Sequence, residues 1–143
     1  MLRITKGLNP FVNNDASEGI SIYTDEQGNK YVCVKTDDED FCIAAHDYNQ
    51  GVKYYFSWDN AMEALEAIGM TTFTKEQFEL YMDYHNEINK KLKEIGGDVI
   101  EGNWYWLSTE SNVDTKCAYF YGHGVIDNTL KKITRRVRPI LNL

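Results

Sequence analysis

Gly102-Asn103-Trp104-Tyr105-Trp106-Leu107-Ser108-Thr109-Glu110 is the most apolar short stretch of the chain, and its reading decides the fold. In extended backbone the side chains alternate, so Trp104, Trp106 and Ser108 share one face while Tyr105, Leu107 and Thr109 share the other. Both faces are bulky. A half-wet or edge strand would show a polar face, so this pattern predicts a central strand covered above and below, with the core formed around it. The stretch names no ligand, cofactor or reaction.

The surrounding 143 residues are enough for one domain of ordinary size. Aromatic content of 13% and a charged fraction of 26% exclude a disordered chain. Residues 1–18, of which 7–18 are rich in Asn, Asp, Gly and Ser around Pro10, read as an irregular lead-in, and 19–143 as the single domain. No run of about eighteen apolar residues exists, and Met1 to Lys6 lacks the apolar core of a signal peptide, so no membrane insertion is expected. Cys33, Cys42 and Cys117 are odd in number, widely spaced and without a CxxC pair. They read as three buried small hydrophobes of a reducing compartment, not as a disulfide framework or a zinc knuckle.

The net charge of -7 is uneven: residues 13–68 carry twelve acids and three lysines, whereas 130–143 carry five basic residues and no acid. The basic residues are Lys131, Lys132, Arg135, Arg136 and Arg138. They interleave with Ile133, Val137 and Ile140 as in a strand, and an acidic protein uses such arginines for its own carboxylates. The rest of the surface repels polyanions, so no nucleic-acid role is expected.

Working outward from the central strand, Gly19 to Thr24 and Lys30 to Lys35 flank the turn Asp25-Glu26-Gln27-Gly28-Asn29, which predicts a β-hairpin. Phe41 to Ala45 follows as a short strand after the acidic turn Thr36 to Asp40, whose acids Asp37 to Asp40 lack the spaced oxygen ligands and Gly of a calcium loop. Ser57 is the expected N-cap of a helix with Trp58, Ala61, Met62, Leu65 and Ile68 on one stripe, ended by Gly69. Thr74 and Gln77 form a capping box for a second helix, whose stripe of Phe78, Tyr81, His85, Ile88, Leu92 and Ile95 runs to Gly96-Gly97. His85 reads as a satisfied core residue, with no metal-ligand spacing around it. Beyond the central strand come a polar turn at Ser111 to Asp114, a strand at Lys116 to Tyr121, a turn at Gly122-His123-Gly124 and a last strand at Lys131 to Ile140. This order predicts an α+β domain: one antiparallel sheet, two helices packed on it, and chain ends near one another.

Over roughly residues 57 to 141 the chain resembles the Lcl-type C-terminal domain family, a group of unknown function with a C-type-lectin-like fold. The resemblance rests on Trp58, Thr74, Ile88-Asn89-Lys90-Lys91-Leu92, Gly96-Gly97, Tyr105-Trp106-Leu107-Ser108-Thr109-Glu110 and Arg136-Val137-Arg138-Pro139-Ile140. The chain has Thr72-Phe73 where the family has Leu-Pro, and Leu107 where the family strand has its first Ser. The resemblance implies a recognition fold of adhesin-like and phage receptor-binding modules, placed on a cell surface or virion, with no cofactor and no enzymatic activity.

The residues agree with a non-catalytic reading, since the best nucleophile candidate is Cys117 with His123, six apart across a strand end, and buried cysteines commonly lie near some histidine. Two functions remain open. One is a module binding a glycan or a protein surface through Asn112, Asp114, Tyr119, Tyr121, His123, Asp127 and Asn128, where tyrosines give area and the polar residues give hydrogen bonds. Tyr119 and Tyr121 share a face opposite Ala118 and Phe120, so they are either ligand-facing or core. The other is a structural subunit of a fibre, pilus or virion whose aromatics are used in self-association. Structural roles are expected for Trp104 and Trp106 in the core, and for Glu110 and Arg138 as a buried ion pair.

Overall fold

The structure, a computed structural model, describes residues 19–100, 103–112, 114–122 and 124–143. The lead-in and the closeness of the chain ends lie outside these residues. The domain is mixed α+β, with two antiparallel sheets and three helices where the sequence pattern led us to expect one sheet and two.

The first sheet has the order β1-β2-β3-β7: β1 (Ile20–Thr24), β2 (Lys30–Lys35), β3 (Asp40–Ala44) and β7 (Ile140–Asn142). Its turns come from local chemistry. Asp25 Oδ1 accepts the backbone N–H groups of Gln27 and Asn29 at 2.9 and 2.8 Å. Thr36 Oγ1 does the same for Asp38 and Glu39 at 3.2 and 3.0 Å. The second turn fixes a register that sets Cys33 opposite Cys42, and the two are joined in a disulfide. The expectation of three separate thiols is therefore corrected; only Cys117 is free. Strand pairing supplied what spacing alone did not, since Cα atoms facing each other across two strands are close enough to bridge.

Ser57 caps α1 (Trp58–Ala67) by accepting from the N–H of Asn60, and Gly69 takes the left-handed φ of 75° that ends it. The stripe is buried at Ala61 and Leu65, while Ile68 at the C-cap is exposed. Thr74 and Gln77 form the reciprocal capping box of α2 (Lys75–Asp83), both bonds at 3.0 Å. The expected single second helix is broken at Tyr84, whose ψ of 25° at φ -122° leaves the helical region, and α3 (His85–Glu94) starts anew. The break rotates His85 out of the stripe. It is exposed, with Nδ1 2.9 Å from the Met82 carbonyl, so its expected core position is corrected. Gly97 N–H donates to Leu92 O at 2.8 Å to close α3. A Cβ on Gly97 would stand 2.5 Å from Ala45 O, so this position seats the helix end on the first sheet.

The second sheet has the order β4-β5-β6: β4 (Tyr105–Glu110), β5 (Cys117–Gly122) and β6 (Val125–Leu130). The strand expected over Lys131 to Ile140 is corrected: β6 precedes it, residues 131–139 are irregular, and only β7 is a strand at that end. Its alternation arose because Arg135 and Arg136 do pair, but through isolated bridges to Phe56 and Tyr105. These bridges cover the outer edge of β4, where Trp106 N–H donates to Arg136 O at 2.8 Å and Arg136 N–H to Trp104 O at 3.0 Å. Further along, Ser108 N–H donates to Phe73 O at 2.7 Å. The expectation of a strand buried on both faces therefore holds for Tyr105, Trp106 and Leu107.

Tyr105 and Leu107 join Val32, Phe41, Phe78 and Leu92 in a core between the two sheets and α2–α3. Trp106 turns the other way, into a second core with Phe56, Ala61, Leu65 and Val137 beneath α1. Along the far edge of β6 no strand pairs among the described residues. There Asp127 Oδ1 accepts the N–H of Asn128 at 2.8 Å.

Candidate ligand-binding rim

Three extended segments from distant parts of the sequence lie side by side at one end of the second sheet: 54–56, 135–136 and the start of β4. Phe56 and Arg135 exchange both backbone hydrogen bonds, at 2.8 and 2.9 Å, and Trp106 Nε1–H donates to Phe56 O at 2.8 Å. Alternation then sends Arg135 and Arg136 to opposite faces.

Arg136 donates through Nη1 to Asp47 Oδ2 at 2.9 Å and lies 4.9 Å from the ring of Tyr54 and 5.1 Å from that of Tyr55. The Tyr55 hydrogen bond first, and Asp47 after it, hold the Arg136 guanidinium more firmly charged than usual. Asp47 is the hub behind the rim. Its Oδ1 accepts from Arg138 Nε at 2.9 Å and its Oδ2 from the Tyr105 hydroxyl at 3.1 Å. Arg138 is 0% exposed and also donates through Nη1 to Ala44 O at 3.1 Å. The expected Glu110–Arg138 pair is thus corrected: Arg138 is buried against a carboxylate, but that carboxylate is Asp47, and Glu110 pairs with Lys131.

Burial first, and the Asp47 charge second, push the Tyr105 hydroxyl well above its ordinary value of 10.0. Burial, then Asp25, push that of Tyr31 up to about 12. Both raised values mean that the folded state holds its phenolic protons longer than the unfolded chain. The stability they add is therefore complete below pH 10 and lost as pH climbs toward 12 and beyond. The urea midpoint should fall across that window, and the Tyr31→Phe/Tyr105→Phe double variant should fall less; parallel curves would contradict this assignment.

On the opposite face Arg135 lies 4.6 Å from the ring of Trp104 and 4.7 Å from that of Phe120. The two rings are nearly parallel, 5.4 Å apart. Glycine at 122 makes this possible, since a Cβ there would stand 2.9 Å from Trp104 Cδ2. Trp104 is 37% exposed, which corrects its expected place in the core: the indole begins on the buried face of the strand but lies across β5 at the domain's end. Tyr54 at 37% and Tyr55 at 48% complete the rim. Tryptophan, tyrosine and arginine held by backbone pairing are the residue types that dominate binding energy at interfaces.

The residues expected from sequence to bind a ligand are not gathered in one place. Asn112 and Asp114 lie in the turn before β5, and His123 lies outside the described residues. Tyr119 and Tyr121 are half-buried against the core between the sheets: Phe78 packs 4.4 Å from the ring of Tyr121, and Lys75 Nζ lies 4.9 Å over Tyr119. Asn128 stands opposite Tyr119 in the β5–β6 register, while Asp127, opposite Phe120, takes the other face; both are exposed. Tyr54, Tyr55 and Arg135 are rim residues that the sequence pattern did not single out as ligand-binding candidates. The available signal was the run Tyr54-Tyr55-Phe56, since an extended backbone cannot bury three consecutive aromatics on one face. Among the described residues, no helix is long and apolar enough to cross a membrane, and no three His, Cys, Asp or Glu side chains gather as a metal site. No protein-family profile and no curated protein matches the chain.

Proposed function

We propose that this domain is a non-catalytic binding module of C-type-lectin-like type that recognises a glycan on another surface. One observation carries the reading: Trp104, Tyr54 and Tyr55, all exposed, sit at one end of three hydrogen-bonded neighbouring segments, Trp104 beside Arg135 on one face and the two tyrosines beside Arg136 on the other. Aromatic faces take the apolar faces of sugar rings, and groups already fixed by the sheet lose little entropy on binding. The resemblance to the Lcl-type C-terminal domain family supports the same class, and Asn112, Asp114, Asp127 and Asn128 remain as outlying polar contacts for a longer ligand.

The test is a glycan array probed with the purified domain and with Trp104→Ala and Tyr55→Ala variants. A bound glycan should lose about 2 kcal/mol in each variant, roughly thirtyfold; the melting temperature of Tyr55→Ala should stay within about two degrees, while that of Trp104→Ala should fall as its packing on Phe120 and Arg135 is lost. An array on which the wild-type domain binds nothing would overturn the reading, and sedimentation of a stable oligomer would then favour the fibre or virion subunit.

A further inference from the structure

Most cations at this end of the domain are matched by acids. Arg136 and Arg138 share Asp47, and Lys131 has Glu110. Arg135 is the exception. Among the described residues no carboxylate comes within ion-pair distance of it, although acids outnumber basic residues by 22 to 15 in the sequence. Its Nε is buried without an acceptor, as are Arg136 Nε and Arg138 Nη2, but those two arginines have the Asp47 charge beside them, and burial makes the Arg135 charge less favourable. Its hydrogen bond is a long one, from Nη1 to Thr134 O at 3.3 Å. Trp104 and Phe120 offset part of this loss through their ring faces, but a ring face accepts no proton from the guanidinium fork. A charge-assisted acceptor for the terminal guanidinium nitrogens is the missing partner, and a carboxylate offers two oxygens to them.

Resting on the glycan reading above, we infer that Arg135 and Trp104 form a subsite for a single carboxylate-bearing sugar: the sugar ring lies against the indole and its carboxylate meets the guanidinium. The net charge of -7 sets the second half of the specificity. A densely charged polyanion is repelled by the domain as a whole, whereas one isolated acid on an otherwise neutral glycan meets mainly the local cation. The ligand is therefore a neutral saccharide carrying an isolated or terminal hexuronate.

The deciding experiment is calorimetric titration of the whole chain with two trisaccharides that differ only at the terminal residue, lactose extended by glucuronate or by glucose. The glucuronate form should bind about tenfold more tightly, because only it supplies the ionised acceptor. Arg135→Gln should bring the two to equal affinity, and an unchanged far-ultraviolet circular dichroism spectrum shows that the variant is folded. Arg135→Lys should restore only part of the preference, since an ammonium lacks the fork. Equal binding of both trisaccharides to the wild type would overturn the subsite yet leave the glycan module standing. Binding of neither trisaccharide alongside a glycan-negative array would remove the module itself. Tighter binding of a polysulfated chain or an acidic peptide than of the glucuronate form would also overturn the inference.

Discussion

Asp47→Asn is expected to cost this domain about 3–5 kcal/mol, a large share of the roughly 5–15 kcal/mol that holds a domain of this size together. The substitution keeps the shape of the side chain and removes its charge. Arg138, 0% exposed and bonded through Nε to Asp47 Oδ1, would then be a buried guanidinium with no counter-charge. Arg136 and the Tyr105 hydroxyl lose the same carboxylate, but Arg136 reaches solvent and is expected to add under about 1 kcal/mol. The melting temperature should drop by about ten degrees, with an unchanged dependence on urea per molar. Because most of the cost is the stranded partner rather than the bond itself, Asp47→Leu with Arg138→Met should be less destabilised than the sum of the two single changes. Additivity within about 0.5 kcal/mol would show that the two side chains are not coupled.

Trp106→Ala should be comparably severe, for a different reason. The indole is the largest fully buried side chain and fills the core beneath α1 with Phe56, Leu65 and Val137. Truncation removes about 3–5 kcal/mol of transfer and packing energy, and about 1 kcal/mol more because Phe56 O loses its indole N–H donor. Trp106→Phe separates the two contributions, since it keeps most of the apolar volume and deletes only the donor. A phenylalanine variant as unstable as the alanine one would mean that the hydrogen bond to the 54–56 segment, not the filled volume, secures this core. A native melting temperature for the alanine variant would place Trp106 outside the core altogether.

Local chemistry made much of the fold legible in advance. The Asp25–Asn29 turn, the Ser57 cap, the Thr74–Gln77 box and the Gly96-Gly97 stop each depend on groups within a few residues of one another, and each appears where the sequence puts it. The two bulky faces of Tyr105 to Leu107 likewise foretold burial on both sides. What could not be read depends on distant parts. Tyr84 carries no helix-breaking chemistry, so the kink between α2 and α3 is a tertiary outcome. Arg138 and Asp47 stand 91 residues apart, and nothing in the loop holding Asp47 sets it above the other acids. The disulfide lay within reach: a hairpin folded about residues 37 and 38 pairs Cys33 with Cys42 by symmetry. The rim was hidden for the same reason as Asp47, because it exists only once 54–56, 135–136 and β4 are side by side.

The hydrogen bond from Asn128 N–H to Asp127 Oδ1 has a bearing on how this domain behaves in crowded solution. Strands at the border of a sheet invite a neighbouring molecule to continue the ladder, and among the described residues β6, with Val125 and Leu130 exposed, has no strand beyond it. In the β5–β6 ladder the N–H of Asn128 is directed outward, and the carboxylate beside it has already claimed that donor. An incoming chain would have to displace a charged acceptor and bury it without a cation, which is costly enough to refuse most strangers. Asp127 thus places a local obstacle to edge-to-edge association at the outer side of β6.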